Sequence, residues 1–248
     1  MNKNNQLFTY LLSALFLESL FLGFIYNSYL SAVVIGLPAL FIPIYFYKSA
    51  PDAAITRHVS ALAVMIFAAL HIHQANGLIE VHFEVFILIA FLIIFQDWKV
   101  FITAITVIAI HHVSFYFLQV NNTGVYIFDK DRLAFTTVII HAVYAIVEAA
   151  IGGYIAQSMK KESEAGKELS LVATALTADI NSIDLSIKAS TRNNKTLISF
   201  NELLALLANV IQGVKEQVIE LNTNSAHLMK TKTELEYSSA QRQQETEI

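Results

Sequence analysis

The stretch "LHIHQANGLIEVHFEVF", Leu70 to Phe86, sets three histidines and two glutamates at the junction of two strongly apolar segments. Ionisable side chains in or beside hydrocarbon are expensive, so each one there points to function by default. The stretch also fixes the topology, because it is a corner where one membrane span ends and the next returns.

Working outward from this corner, apolar runs near 7–26, 29–47, 57–75, 79–96, 99–119 and 134–157 each approach the length of about 20 residues that a bilayer core requires. The first hairpin turns at "YNSY", and the next loop, "YKSAPDAAITRH", carries Pro51 and both signs of charge. The short fourth run ends at "QDWK", where Trp98 and Lys99 suit a membrane interface. Segment 120–133, "VNNTGVYIFDKDRL", is polar enough to be placed outside the bilayer.

Of the 248 residues, 55% are apolar and only 15% charged, and there is no cysteine. The charge is unevenly placed: residues 1–159 hold 6 Lys/Arg and 8 Asp/Glu, whereas 160–248 hold 10 and 12. The chain therefore divides into a membrane part and a water-soluble tail. The balance offers no basic face for nucleic acid, and the lack of cysteine excludes disulfides, thiolate metal sites and cysteine nucleophiles.

Orientation follows the Lys/Arg bias of short loops. With the N-terminus inside, Lys3, Lys48, Arg57, Lys99, Lys160 and Lys161 face the cytoplasm, against Lys130 and Arg132 outside. Both termini are thus expected in the cytoplasm. "MNKNNQLFTYLL" has no small-residue cleavage site before the next span, which predicts no cleaved signal peptide.

On this topology His71 and His73 close the third span at its outer end, and Glu80, His82 and Glu84 open the fourth. A rise of about 1.5 Å per residue puts His111 and His112 roughly 18–20 Å into the fifth span, with His141 at a similar depth in the sixth. Glu18 lies in the outer half of the first span, and Glu148 two turns below His141. Six histidines and four carboxylates converge on one leaflet.

Two classes of ligand fit such a set. Haem b accepts axial histidines from facing helices in an apolar pocket, for which His71, His111, His112 and His141 are the candidates, with Ala61, Ala63, Ala68 and Ala69 making room. A Cu or Zn ion suits imidazole with carboxylate, for which His71, His73, Glu80 and His82 stand close in sequence. Glu18, Glu84 and Glu148 are candidate supporting groups behind either. Clustered histidines also titrate near neutrality, which leaves a pH response open. Adjacent helical positions point about 100° apart, so only one of His111 and His112 faces a given centre.

In the tail, Leu197, Phe200, Leu204, Leu207, Ile211, Val214, Val218 and Leu221 alternate steps of three and four, a heptad seam that predicts a parallel coiled-coil homodimer. Beyond them Ser225 and Lys232 make the seam polar at alternate positions. Leu176, Ile180, Ile183 and Ile187 share the spacing out of phase, and "KASTRNNKT", 188–196, separates the two runs as a connector. With no glycine-rich phosphate loop and no nucleophile–base arrangement, the tail is expected to transmit and not to catalyse.

The pieces "HIHQANGLIEVHFEVFILIAFLIIFQDWKVFITAITVIAIHHVSFYFLQ" and "HAVYAIVEAAI" resemble the six-span membrane sensor module found ahead of methyl-accepting chemotaxis transducers. "INSIDLSIKA" followed by "FNELLALLANVIQGV" is similar to the connector and second helix of a HAMP domain, with Asn181 and Ser182 where that family has glycine. "SSAQRQQETEI" is similar to the start of a transducer helix bundle. The resemblance implies an all-α chain: a six-helix transmembrane sensor over 1–157, a HAMP-like region over 158–214 and the start of a signalling coiled coil over 215–248. It implies a non-enzymatic receptor in the bacterial inner membrane. It also implies a chemotaxis kinase and adaptor as partners, docking on a hairpin tip beyond Ile248.

Overall fold

The structure is a computed structural model that describes residues 3–179, 182–191 and 194–246, the side chains of 244–246 excepted. Ile180 of the out-of-phase spacing, Asn181 of the HAMP-like motif, Arg192 and Asn193 of the connector, and Glu247 and Ile248 lie outside the described residues. The described chain is helical, with no strand and one isolated bridge between Asp179 and Ser182. It divides into two compact units, 1–162 and 163–248.

In the first unit long apolar runs become helices because hydrocarbon leaves no other partner for backbone N–H and C=O groups. They are α1 (Lys3–Tyr26), α2 (Tyr29–Ser49), α3 (Ala54–Gln74), α4 (Phe83–Phe91), α5 (Lys99–Val120) and α6 (Phe135–Leu176), the last continuing into the second unit. By length and composition α1, α2, α3, α5 and α6 can each cross a membrane, as can α7 (Lys195–Thr246) of the second unit. The five of the first unit make the chain a multi-pass membrane protein. The set differs from the sequence expectation at two places: α7, expected in the water-soluble tail, is among the six, and the fourth run, though helical without a break over Ile79–Phe95, is α-helical only in its middle and is not among them. It forms a 3₁₀ turn at Ile79–His82, α4, and a second 3₁₀ turn at Leu92–Phe95, ending at Gln96 in left-handed conformation (φ 52°).

The centre of the bundle is α3, which packs against α1, α2, α4 and α5. Its small residues explain why. Ala61, Ala63 and Ala68 are buried among Val64, Met65 and Phe67, so the room expected for a flat cofactor is occupied by neighbouring helices. By contrast the outer faces of α1, α2, α5 and α6 expose Phe21, Leu30, Ile110 and Ile146. A patch of that extent is untenable in water and ordinary in lipid.

Polar ties are few and specific. Gln74 of α3 donates through Nε2 to the Ser19 carbonyl at 3.0 Å and accepts from Ser19 Oγ at 2.9 Å, joining α1 to α3. Tyr47 and Ser60 share a buried hydrogen bond of 2.7 Å. At the opposite end from the corner, Arg57 pairs with Asp97 at 3.0 Å, and Asp97 also accepts from the Lys99 N–H at 3.1 Å. Burial alone would raise the Asp97 carboxyl, but that N–H and the guanidinium outweigh it and hold the group below the ordinary aspartate range. Asp97 is thus an interhelical tether. His58 lies nearby, its Nδ1 2.7 Å from Thr103 Oγ1.

The second unit runs from the end of α6 through residues 177–194 to α7. Val172 and Leu176 of α6 and Leu197 and Leu204 of α7 form a small core with Ala189 between them. Asn201 pins the connector there, accepting from the Ala189 N–H at 2.8 Å and donating to its carbonyl at 2.9 Å. Downstream the seam residues Ile211, Val214, Val218 and Leu221 are exposed. The heptad seam therefore has two parts: its first turns are used within the chain, and the rest faces outward.

Candidate functional site

The end of the bundle where α3 stops, α4 starts, α5 stops and α6 starts gathers the ionisable residues into two separate groups. Each is built by local chain geometry.

The first group is His71, Glu84 and Glu18. His71 is fully buried, with Nδ1 2.9 Å from Glu84 Oε2 and Nε2 3.1 Å from the Leu15 carbonyl. Both partners are acceptors, so Nε2 carries a hydrogen. Nδ1 then faces the carboxylate at hydrogen-bonding distance, on the side from which Glu18 also approaches. Glu18 completes the set: among the described residues, ligand atoms of Glu18, His71 and Glu84 are the group that lies within 4.8 Å of one another throughout. One imidazole and two carboxylates suit a divalent ion.

The second group is His82, His112 and His141, one each from the 3₁₀ turn, α5 and α6. Their ring centroids stand 5.6 Å (82–112), 5.2 Å (82–141) and 5.8 Å (112–141) apart. In all three, Nδ1 faces the carbonyl four residues back: Leu78 at 3.2 Å, Ile108 at 2.9 Å and Thr137 at 2.8 Å. A ring nitrogen facing a carbonyl must donate, so each imidazole is held in the Nδ1–H form with its Nε2 lone pair free to accept. His82 is buried and, besides the Leu78 carbonyl, lies against the backbone of Ile127. The three rings line a cavity of about 80 Å³ whose remaining walls, including Ile108, Ala109, Ala142 and Ala145, are apolar.

A segment read as external packs against these histidines. Within 120–133, Ile127 and Phe128 are fully buried, and the Phe128 ring stacks on His82 at 5.4 Å and meets His141 at 5.1 Å. Two residues hold it. Gln119 accepts from the Ile127 and Phe128 N–H groups at 2.7 and 3.1 Å and donates to the Phe128 carbonyl at 2.7 Å. Gly77, at φ 77°, lies so close that a Cβ there would sit 2.5 Å from the Phe128 backbone. Neither Gln119, Gly77 nor Phe128 stood out in the sequence. A polar amide at the end of an apolar helix and the "YIF" inside a polar loop were the signals available.

The candidates drawn from the sequence are redistributed accordingly. His111 is buried beside Phe115, 4.3 Å between centroids, with both ring nitrogens unpartnered, and does not line the cavity; His112 does. His71 has both nitrogens engaged in the other group, so it is not aligned with His111, His112 and His141 around one centre. His73 accepts from the Tyr126 N–H at 3.2 Å and stacks on Tyr126, which is a structural role. Glu80 is exposed. The set His71, His73, Glu80 and His82 is thus dispersed, because the turn at Asn76 and Gly77 rotates the 3₁₀ segment away from the end of α3. Glu148 is half-buried on α6 and outside the cavity. Haem does not fit what is present: about 80 Å³ is well below the roughly 300 Å³ at which pockets for larger ligands begin.

The chain matches no protein-family model, no curated protein and no solved structure.

Proposed function

We propose that the chain is the input and transmission part of a multi-pass membrane receptor of the chemotaxis-transducer kind, taking a small ligand at the histidine pocket. The observation that carries this reading is that His141, one wall of the pocket, stands on α6, a single helix from Phe135 to Leu176 that enters the second unit. A ligand joining His141 to His82 and His112 changes the position of α6 relative to α5, and such a shift is the kind of discrete movement helices transmit. Gly152 supports the same reading: a Cβ there would lie 2.5 Å from the Phe101 ring, so α6 meets α5 closely one stretch below the pocket.

On this reading the bundle lies in a bacterial inner membrane with both termini cytoplasmic, and the second unit is HAMP-like. The exposed seam of α7 pairs with a second copy as a parallel coiled coil, ahead of a hairpin that docks a kinase and adaptor. A second reading, a proton- or electron-transfer membrane protein, is favoured by the buried contact between His71 and Glu84, with Glu18 beside it. The experiment that separates them appends a kinase-docking hairpin after Ile248 and measures kinase activity in membranes under oxidant, reductant, acid shift and added metal. A response abolished by His141→Ala and kept by His58→Ala is expected. A dimeric fusion whose kinase ignores every stimulus overturns the receptor reading.

A further inference from the structure

We infer that Glu18, His71 and Glu84 form a binding site for a single divalent transition-metal ion, held between α1, α3 and α4. The site shares no residue with the cavity of His82, His112 and His141 and takes none from α6, so it goes beyond the receptor reading and does not depend on it.

Three helices present the ligand atoms by simple local rules. His71 lies in the last turn of α3 and Glu84 in the first turn of α4, on either side of the corner. Leu15 and Glu18 are three residues apart on α1 and share a face, which brings a carbonyl and a carboxylate to the same imidazole. The carbonyl accepts from His71 Nε2–H at 3.1 Å. Metal-binding histidines are fixed in this way: one nitrogen donates to a main-chain carbonyl, which sets the tautomer and aims the other nitrogen at the ion. Here the other nitrogen, Nδ1 of a fully buried ring, points at the Glu84 carboxylate, 3.0 and 2.9 Å from its two oxygens. Ligand atoms of all three residues lie within 4.8 Å of one another. Around an ion about 2.0–2.2 Å from each ligand such atoms stand roughly 3.3–3.5 Å apart. Glu84 therefore withdraws slightly from Nδ1 while the exposed Glu18 swings in; both adjustments are side-chain rotations.

Charge selects the valence. An ion moved from water into apolar surroundings is costly unless its charge is met there. Two carboxylates and one neutral imidazole bring two negative charges, which a divalent ion cancels and a monovalent or trivalent ion does not. The imidazole then selects among divalent ions. Calcium and magnesium want shells of oxygen, the latter rich in water, whereas imidazole with carboxylate suits zinc and its transition-metal neighbours. Three protein ligands leave a further position for water, as in open zinc sites, and the exposure of Glu18 gives the ion a way in. An ordinary ion pair accounts for His71 with Glu84 alone. It leaves Glu18, a second carboxylate brought to the same ring, with no hydrogen bond of its own among the described residues, and an ion gives that carboxylate its use.

The test titrates the purified full-length chain in detergent micelles with zinc buffered by a competing chromophoric chelator, and in parallel with calcium. One zinc per chain is expected, bound more tightly than calcium, with an X-ray absorption spectrum of the one-to-one complex that fits a single imidazole among oxygen scatterers. Glu18→Gln keeps the size of the side chain and breaks no hydrogen bond among the described residues. It should weaken zinc by about 100-fold or more, beyond the 10–100-fold or so typical of groups that only support a ligand, while Glu80→Gln and Glu148→Gln stay close to wild type. Zinc should raise the melting temperature of the wild type and leave that of Glu18→Gln unmoved. Should a variant misfold by circular dichroism, the wild-type absorption spectrum still decides. Absence of saturable zinc binding, a spectrum with no imidazole or with several, calcium as tight as zinc, or a Glu18→Gln chain that binds like the wild type overturns the inference. None of these results touches the receptor reading, whose test is a kinase response through His141, and a silent kinase fusion leaves the metal site standing.

Discussion

Replacing Gln119 by leucine removes a clamp while keeping its volume, and the structure sets the size of the effect. The amide side chain makes three buried hydrogen bonds to the backbone of Ile127 and Phe128, at 2.7, 2.7 and 3.1 Å. If the segment stayed in place, three main-chain groups would be left unpaired at about 1–3 kcal/mol each, roughly 3–9 kcal/mol in all. If it were released, those groups would reach water but two buried side chains would be exposed, at about 1.5–3 kcal/mol each, roughly 3–6 kcal/mol. The cheaper route governs, so the variant is expected to open locally at a cost of about 3–6 kcal/mol and not to unfold. Amide hydrogen exchange measures this directly. With about 1.4 kcal/mol per tenfold, exchange at Ile127 and Phe128 should rise at least about 100-fold, while amides in the middle of α3 keep their protection. Gln119→Glu retains the acceptor and should give a smaller change. Unaltered exchange at Ile127 and Phe128 in Gln119→Leu would refute the clamp.

Three further outcomes follow from contacts elsewhere. Gly152→Ala places a methyl 2.5 Å from the Phe101 ring and should destabilise by about 1–3 kcal/mol. Phe101→Ala in the same chain should recover part of that loss, and a strictly additive pair in thermal unfolding would count against the contact. The Arg57–Asp97 tether has a defined pH sense: because Asp97 is held below the ordinary aspartate range, its contribution is present above that range and disappears as pH falls through and below it. The tether is half-exposed, so the amount is about 1 kcal/mol or less, and Arg57→Met should flatten the acid limb of a melting-temperature profile. In the second unit Asn201→Ala removes both bonds to Ala189, at a cost of about 1–3 kcal/mol. Faster exchange of the Ala189 amide with no change in the first unit is the expected reading.

Five of the expected spans were legible because each needed only length and an apolar run. The fourth run was legible as a helical stretch, but hydropathy does not reveal the 3₁₀ turns that flank α4 or the left-handed Gln96 that ends it. Segment 120–133 hid its packing role for a related reason. Its average polarity comes from exposed residues such as Asn121, Asn122 and Lys130, and that average conceals Ile127 and Phe128, which turn back onto the histidines. The site was half legible. Composition and depth gathered the right residues at one end, but partners depend on which face each helix presents. His71 faces α1 and meets the Leu15 carbonyl, whereas His82, only a turn away in sequence, faces α5 and α6. Of the adjacent histidines, the rule that only one can face a centre selected neither; packing selected His112.

Gly77 rests bare backbone on the backbone of Phe128. A contact between two main chains records the path of the chain and is indifferent to most of its letters. Apart from Asn122 and Gly124, whose φ of 56° and 84° restrict the residue type, the exposed residues between Gln119 and Val125 are therefore free to vary in kind but not in number. An inserted or deleted residue there carries Phe128 off both the glycine and the glutamine, whereas many substitutions leave it seated. The seating of Phe128 on the histidines is thus specified by a spacing, nine positions from Gln119 to Phe128. That count, more than any residue within it, is what selection on the pocket would hold fixed.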